Sequence, residues 1–170
     1  MQKINASSLI GGAPLLVETV LSNFDIRINH YVELDFLAFR SVVDELGGVP
    51  MWFPAPAVDQ RAHFAIGERG CHVLDGEQAL GFVRARNYQE LRDGELVTVG
   101  NSDFGRIERQ RIFISAAIDR AVARGARNPT TLAGLVSSAA ESVILDQDLT
   151  TAELVRLAEA FTDFDSSTLQ

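Results

Sequence analysis

A chain of 170 residues that is 46% hydrophobic and 22% charged is long enough to bury one core and too apolar to be disordered. Its formal net charge of −8 argues against non-specific nucleic-acid binding, which rests on neutralising phosphates, but leaves room for a local basic cleft. The single cysteine, Cys71, allows no internal disulfide, and no apolar run reaches the roughly 18 residues needed to cross a bilayer.

In chain order, Gly11-Gly12-Ala13-Pro14 reads as a turn with proline placed for a first helical turn. Leu15 to Leu21 then has helical apolar spacing. Ile26, Ile28, His30, Val32 and Leu34 share one parity, which predicts a strand ending at Asp35. Asp35 caps a helix through Leu46 that Gly47-Gly48 stops. Val49 to Phe53 is a short apolar strand ended by Pro54 and Pro56. Residues 57–70 read as a long polar loop, and His72 to Leu74 as a brief strand. Asp75 caps a helix from Gly76 to Arg84. Residues 87–102 read as a second long loop, of a length that is usually functional or mobile. A helix follows over 103–124, with apolar residues around most of its circumference. Pro129 starts another helix through Ala139, Val143-Ile144-Leu145 is a short apolar segment, and Thr150 caps a last helix from Ala152 to Phe161. Alternating strands and helices predict an α/β layered fold, taken as one domain over 1–170.

The chemistry concentrates in Arg84-Ala85-Arg86 and in Asp103-Phe104-Gly105-Arg106-Ile107-Glu108-Arg109-Gln110. Arginines in the first turns of a helix oppose its dipole unless an anion sits there. A guanidinium fork suits phosphate, and free N–H groups at a helix start add donors aimed at the same anion. Arg106, Arg109 and Gln110 share one helical face by their i, i+3, i+4 spacing. The pattern predicts a phosphate or pyrophosphate site. Against it stands the plainer reading that Arg106 and Arg109 are solvated charges paired with Asp103 and Glu108. Cys71 reads as a packed residue, and His30, His63 and His72 show no metal-ligand spacing.

These residues resemble the LytR-CpsA-Psr family. The likeness runs through Lys3-Ile4-Asn5-Ala6, Gly11-Gly12, Ile28 to Phe36, Val43 to Val49, Leu74 to Leu80, Val83 to Arg86 and Asp103 to Gln110. It implies an α/β/α layered sandwich around a mixed central sheet. It also implies a phosphotransferase that moves a glycopolymer from a polyprenyl-pyrophosphate carrier to a muramic-acid hydroxyl of peptidoglycan, with Mg2+ or a similar ion assisting. Carried over by motif, Arg84, Arg86, Arg106, Arg109 and Gln110 would hold the pyrophosphate, with Arg106 catalytic. Asp103 would stand beside them as an orienting group or base. Phe82, Phe104, Phe113 and Ile114, with Phe36 and Phe39, are candidates for a lipid channel, although each singly is better read as core. The family's acidic metal ligands, a further arginine and its membrane anchor belong to a segment before Lys3. The resemblance therefore implies a domain fragment with its metal site and front strands upstream, and a full-length protein anchored at the extracytoplasmic face of the membrane. Unpaired strand edges in such a fragment would favour a homodimer.

Two other functions stay open at this stage. One is a noncatalytic module that binds polyprenyl phosphates or wall polymer. The other is transcriptional regulation, which the acidic charge and the lack of a basic recognition helix disfavour.

Overall fold

Two α-helix starts in this chain are set by aspartate side chains. Asp35 accepts a hydrogen bond from the Ala38 amide at 2.7 Å and opens helix α2, Phe36–Glu45. Asp75 accepts one from the Gln78 amide at 2.8 Å while its own amide donates to Gln78 Oε1 at 3.3 Å, a reciprocal capping box that opens α3, Gly76–Arg84. The structure, a computed structural model, describes residues 4–100, 103–126, 134 and 143–160. They fall into two units: one within Met1–Glu33 and Ile144–Thr150, the other within Leu34–Val143 and Thr151–Gln170.

The first unit holds α1, Asn5–Phe24, and a two-stranded sheet. The turn expected at 11–14 is a kink inside this helix, with Gly12 at φ 65 and Pro14 two residues on. Proline cannot donate to the preceding turn, and glycine accepts the left-handed φ that the break requires. The strand expected over 26–35 reduces to β1, Val32–Glu33, because its partner, the short strand Ile144–Leu145, pairs with only these two residues. After that partner strand, Asp146 accepts from the Tyr31 amide at 2.7 Å and from the Asp148 and Leu149 amides at 2.9 Å each. The Tyr31 bond leads in holding its carboxyl below the ordinary aspartate value.

In the second unit β2, Val49–Phe53, pairs antiparallel with β5, Gly70–Leu74, from Val49↔Leu74 to Phe53↔Gly70. The two expected loops are structured. Residues 57–70 form β3, Ala57–Asp59, a 3-10 turn, Gln60–Ala62, and β4, Phe64–Ile66. Residues 89–98 form a hairpin of β6, Gln89–Arg92, and β7, Glu95–Thr98. Its turn is Asp93-Gly94, both with positive φ, the dipeptide that favours tight hairpins. These strands make one antiparallel sheet in the order β4-β3-β6-β7. The α/β class is as expected. The mixed central sheet is not seen among the described residues, whose strands (Ile144–Leu145 being β8) pair antiparallel in three small sheets. The last helices are α4, Asp103–Ala121, followed by a π turn over Val122–Ala126, and α5, Thr151–Ala160. The helix expected over 129–139 lies outside the described residues.

Helix α3 is the centre of this unit and packs against α2, α4, β4, β5 and the 3-10 turn. Gly81 permits the closest approach: a Cβ there would stand 3.0 Å from the Ala62 carbonyl and 3.1 Å from Phe64 Cβ. Around it lie Phe53, Phe64, Phe82 and Tyr88, with ring centroids 5.4 to 6.2 Å apart. Phe82 and Phe113, two candidates for a lipid channel, are 5% and 4% exposed members of this core. Phe64 is 1% exposed at its centre, whereas Phe104 is 83% exposed. Phe64→Ala should therefore cost about 3–5 kcal/mol in urea unfolding, and Phe104→Ala should stay within about 0.5 kcal/mol of the parent.

Candidate functional site

The C-terminal end of α3 brings Arg84 out of the core and into the segment Ala85-Arg86-Asn87. There it borders a cleft of about 340 Å3 lined by Asp59, Arg61, Ala62, Arg84, Arg86, Asn87 and Arg106. Four arginines against one aspartate make it cationic on a chain whose net charge is −8. Each wall comes from a different element: the 3-10 turn, the end of α3 and the first turn of α4.

Of the arginines expected at a pyrophosphate site, Arg84, Arg86 and Arg106 line the cleft. The Arg84 guanidinium lies over the Phe36 ring at 4.3 Å. Asp103 stands between the other two, with Oδ1 3.3 Å from Arg86 and 3.1 Å from Arg106. Arg106 also has its Nε buried without a partner among the described residues.

Arg109 and Gln110 are placed elsewhere. Arg109 is 7% exposed and donates to the Ala85 carbonyl at 2.5 Å and the Gly100 carbonyl at 3.5 Å, with its guanidinium over the Tyr88 ring at 4.9 Å. Gln110 Nε2 donates to the Val83 carbonyl at 3.2 Å. Both residues spend donors on the last turn of α3, so they stand behind the cleft rather than in it. Three residues on one face of α4 thus split into one that faces the cavity and two that fasten its wall. Burial lowers the Arg109 guanidinium from the ordinary arginine value, while Tyr88 and Asp59 oppose that shift. Burial also pushes the Tyr88 hydroxyl up to about 12, with Glu90 adding and Arg109 opposing. None of the lipid candidates Phe82, Phe104, Phe113 and Ile114 lines the cleft: two are core, and Phe104 and Ile114 are exposed on α4.

Sequence reasoning missed Asp59, Arg61 and Asn87. Asp59 is 1% exposed, and its carboxylate accepts from three amides: Arg61 at 3.0 Å, Ala62 at 3.2 Å and Asn87 at 2.7 Å. The signal lay in an aspartate two residues before Arg61, the spacing of a side chain that turns its own backbone. Among the described residues no group of three or more His, Cys, Asp or Glu side chains could hold a metal ion. The resemblance places the Mg2+ ligands in a segment before Lys3, not among these residues.

Fold and cleft together define an α/β protein with an arginine-lined cleft. The LytR_cpsA_psr family model matches residues 1–170, and the chain belongs to that family. It is 34% identical, over 94% of its length, to the probable cell wall biosynthesis protein LcpB of Corynebacterium glutamicum, and spans 36% of that protein. It is 33% identical, over 96% of its length, to the polyisoprenyl-teichoic acid–peptidoglycan teichoic acid transferase TagV of Bacillus subtilis, and spans 39% of it. The LytR-Csp2A-Psr enzyme from Actinomyces oris matches with a TM-score of 0.79 at 25% identity, over 95% of this chain and 60% of that one.

The two classes of arginine are separable by experiment. Arg109→Ala should lower stability by about 2–3 kcal/mol, since it strips the buried Ala85 carbonyl of a charged donor, whereas Arg106→Ala should change it by less than about 0.5 kcal/mol. Urea unfolding of both variants checks this. The pH dependence has a definite sign as well. A hydroxyl raised in the fold contributes stability in full below its ordinary value of 10.0 and loses it as pH climbs towards about 12. Tyr88→Phe should flatten that alkaline fall in urea unfolding measured across the same range.

Proposed function

We propose that this chain carries the phosphoryl-transfer site of a cell-wall transferase that moves a glycopolymer from a polyprenyl-pyrophosphate carrier onto a hydroxyl of peptidoglycan. The observation that carries this reading is the cleft in which Arg84, Arg86 and Arg106 converge from the end of α3, the segment after it and the start of α4. Family membership supports it, as does the relative TagV, named for teichoic acid transfer to peptidoglycan. The chain spans well under half of LcpB and of TagV, so the activity is proposed for the whole protein.

Phosphoryl transfer asks mainly for positioning and charge neutralisation, which three guanidinium forks provide. The acceptor hydroxyl oxygen bonds to the phosphorus that bears the glycan. The bond from that phosphorus to the bridging oxygen breaks, and polyprenyl phosphate leaves with the electron pair. Asp103 is the group placed to take the hydroxyl proton. Its carboxylate contacts Arg86 and Arg106, donors that a phosphate would take over. Arg109 and Gln110 keep the Arg84–Arg86 segment against α4. The exposed Phe36 under Arg84 and the exposed Phe104 next to Asp103 are apolar surfaces from which a polyprenyl chain could run. The reaction belongs at the outer face of the cell membrane, where peptidoglycan is. No helix of the described residues is long and apolar enough to cross a membrane, and anchoring is proposed for the whole protein.

In the whole protein, Arg106→Ala should lower transfer of a labelled lipid-linked glycan onto peptidoglycan by about a hundredfold, the usual effect of removing one transition-state donor. Arg106→Lys should recover only part of the rate, because an ammonium offers no fork. A parental rate in Arg106→Ala, or a loss that follows a collapsed melting temperature, would overturn the assignment.

A further inference from the structure

We propose that Arg61 is a fourth anion-binding residue of the cleft, held in register with Arg86 by the buried Asp59 carboxylate; this rests on the phosphate-binding reading above. Arg61 lies outside the arginine motifs, on the 3-10 turn, yet it lines the same cavity. The other three guanidiniums have partners: Arg86 and Arg106 share Asp103, and Arg84 lies on Phe36. Among the described residues no carboxylate stands within ion-pair distance of Arg61. An exposed cation set beside three others and given no counter-charge is unfavourable until an anion arrives.

Its backbone is not loose. Asp59 Oδ1 accepts from the Arg61 and Ala62 amides, and Oδ2 of the same carboxylate accepts from Asn87, the residue next to Arg86. One side chain, 1% exposed, therefore registers the 3-10 turn against the arginine segment that leaves α3. The close approach at Gly81 holds α3 against the same turn through the Ala62 and His63 carbonyls. With Arg61 counted, a diphosphate is gripped from three elements, so that two phosphates can each meet more than one fork.

The test is calorimetric titration of the chain with inorganic pyrophosphate at fixed low salt. Arg61→Ala should weaken binding roughly tenfold, the effect of losing one charge-assisted hydrogen bond. Arg61→Lys should recover part of it. Arg69→Ala, which removes an exposed arginine stacked on Trp52 away from the cleft, should leave affinity unchanged. Equal losses in Arg69→Ala and Arg61→Ala would reduce the effect to general charge and overturn the proposal. Parental affinity in Arg61→Ala beside a clear loss in Arg84→Ala would overturn the role of Arg61 and leave the phosphate site standing. Absence of pyrophosphate binding to the parent would overturn both.

Discussion

A buried guanidinium fastens the cleft from behind. Arg109 donates from α4 into the Ala85 carbonyl at the end of α3 and rests on the Tyr88 ring. Burying a cation is costly unless its donors are used, so the site tolerates only an arrangement in which those carbonyls stay where they are. That requirement fixes the spacing between the α3 end and the α4 start, and this spacing is what places Arg84, Arg86 and Arg106 around a single cavity. Gln110, one residue on, repeats the device with a neutral donor on the Val83 carbonyl.

The same geometry explains why similar side chains have opposite relations to stability. Arg106 sits in the first turns of α4, where its charge opposes the dipole, and Asp103 offsets it. Arg109 lies one turn further in, where the polar groups within reach are backbone carbonyls rather than solvent or a carboxylate. The first lines the cleft, and the second is committed to the fold.

Much of this was legible in the sequence where a feature acts locally. The caps at Asp35 and Asp75, the glycine stop after α2, and strand β2 all follow from neighbours in the chain. So does the gathering of arginines at one helix start. What was not legible depends on partners far away in sequence. Strands β3, β4, β6 and β7 have three or four residues each, too few for a period to show, and exist because they pair with one another. The alternating run from Ile26 to Leu34 found a partner only two residues long. Arg109 carries the same helical-face signature as Arg106, and only the position of the Ala85 carbonyl tells them apart. Nothing local marks the bond that Asp59 accepts from Asn87, because it joins two segments that read as loops.

The seat of α4 depends on the glycine of the Asp103-Phe104-Gly105-Arg106 stretch. A Cβ on Gly105 would collide with the carbonyl of Gly100, itself in the left-handed region at φ 59. The first turn of α4 is thus pressed against the backbone just after the β6–β7 hairpin, and that backbone also accepts from Arg109. Any larger residue at 105 must push the helix start away from Gly100. Asp103 and Arg106, which sit on that start, would then leave Arg86 and the cavity. The hairpin sets the path of Gly100, Gly100 seats α4, and the seat of α4 sets the distance between carboxylate and guanidiniums. The arginine-lined cleft is in this sense a consequence of backbone contact, with the charged side chains aligned by a glycine that has none.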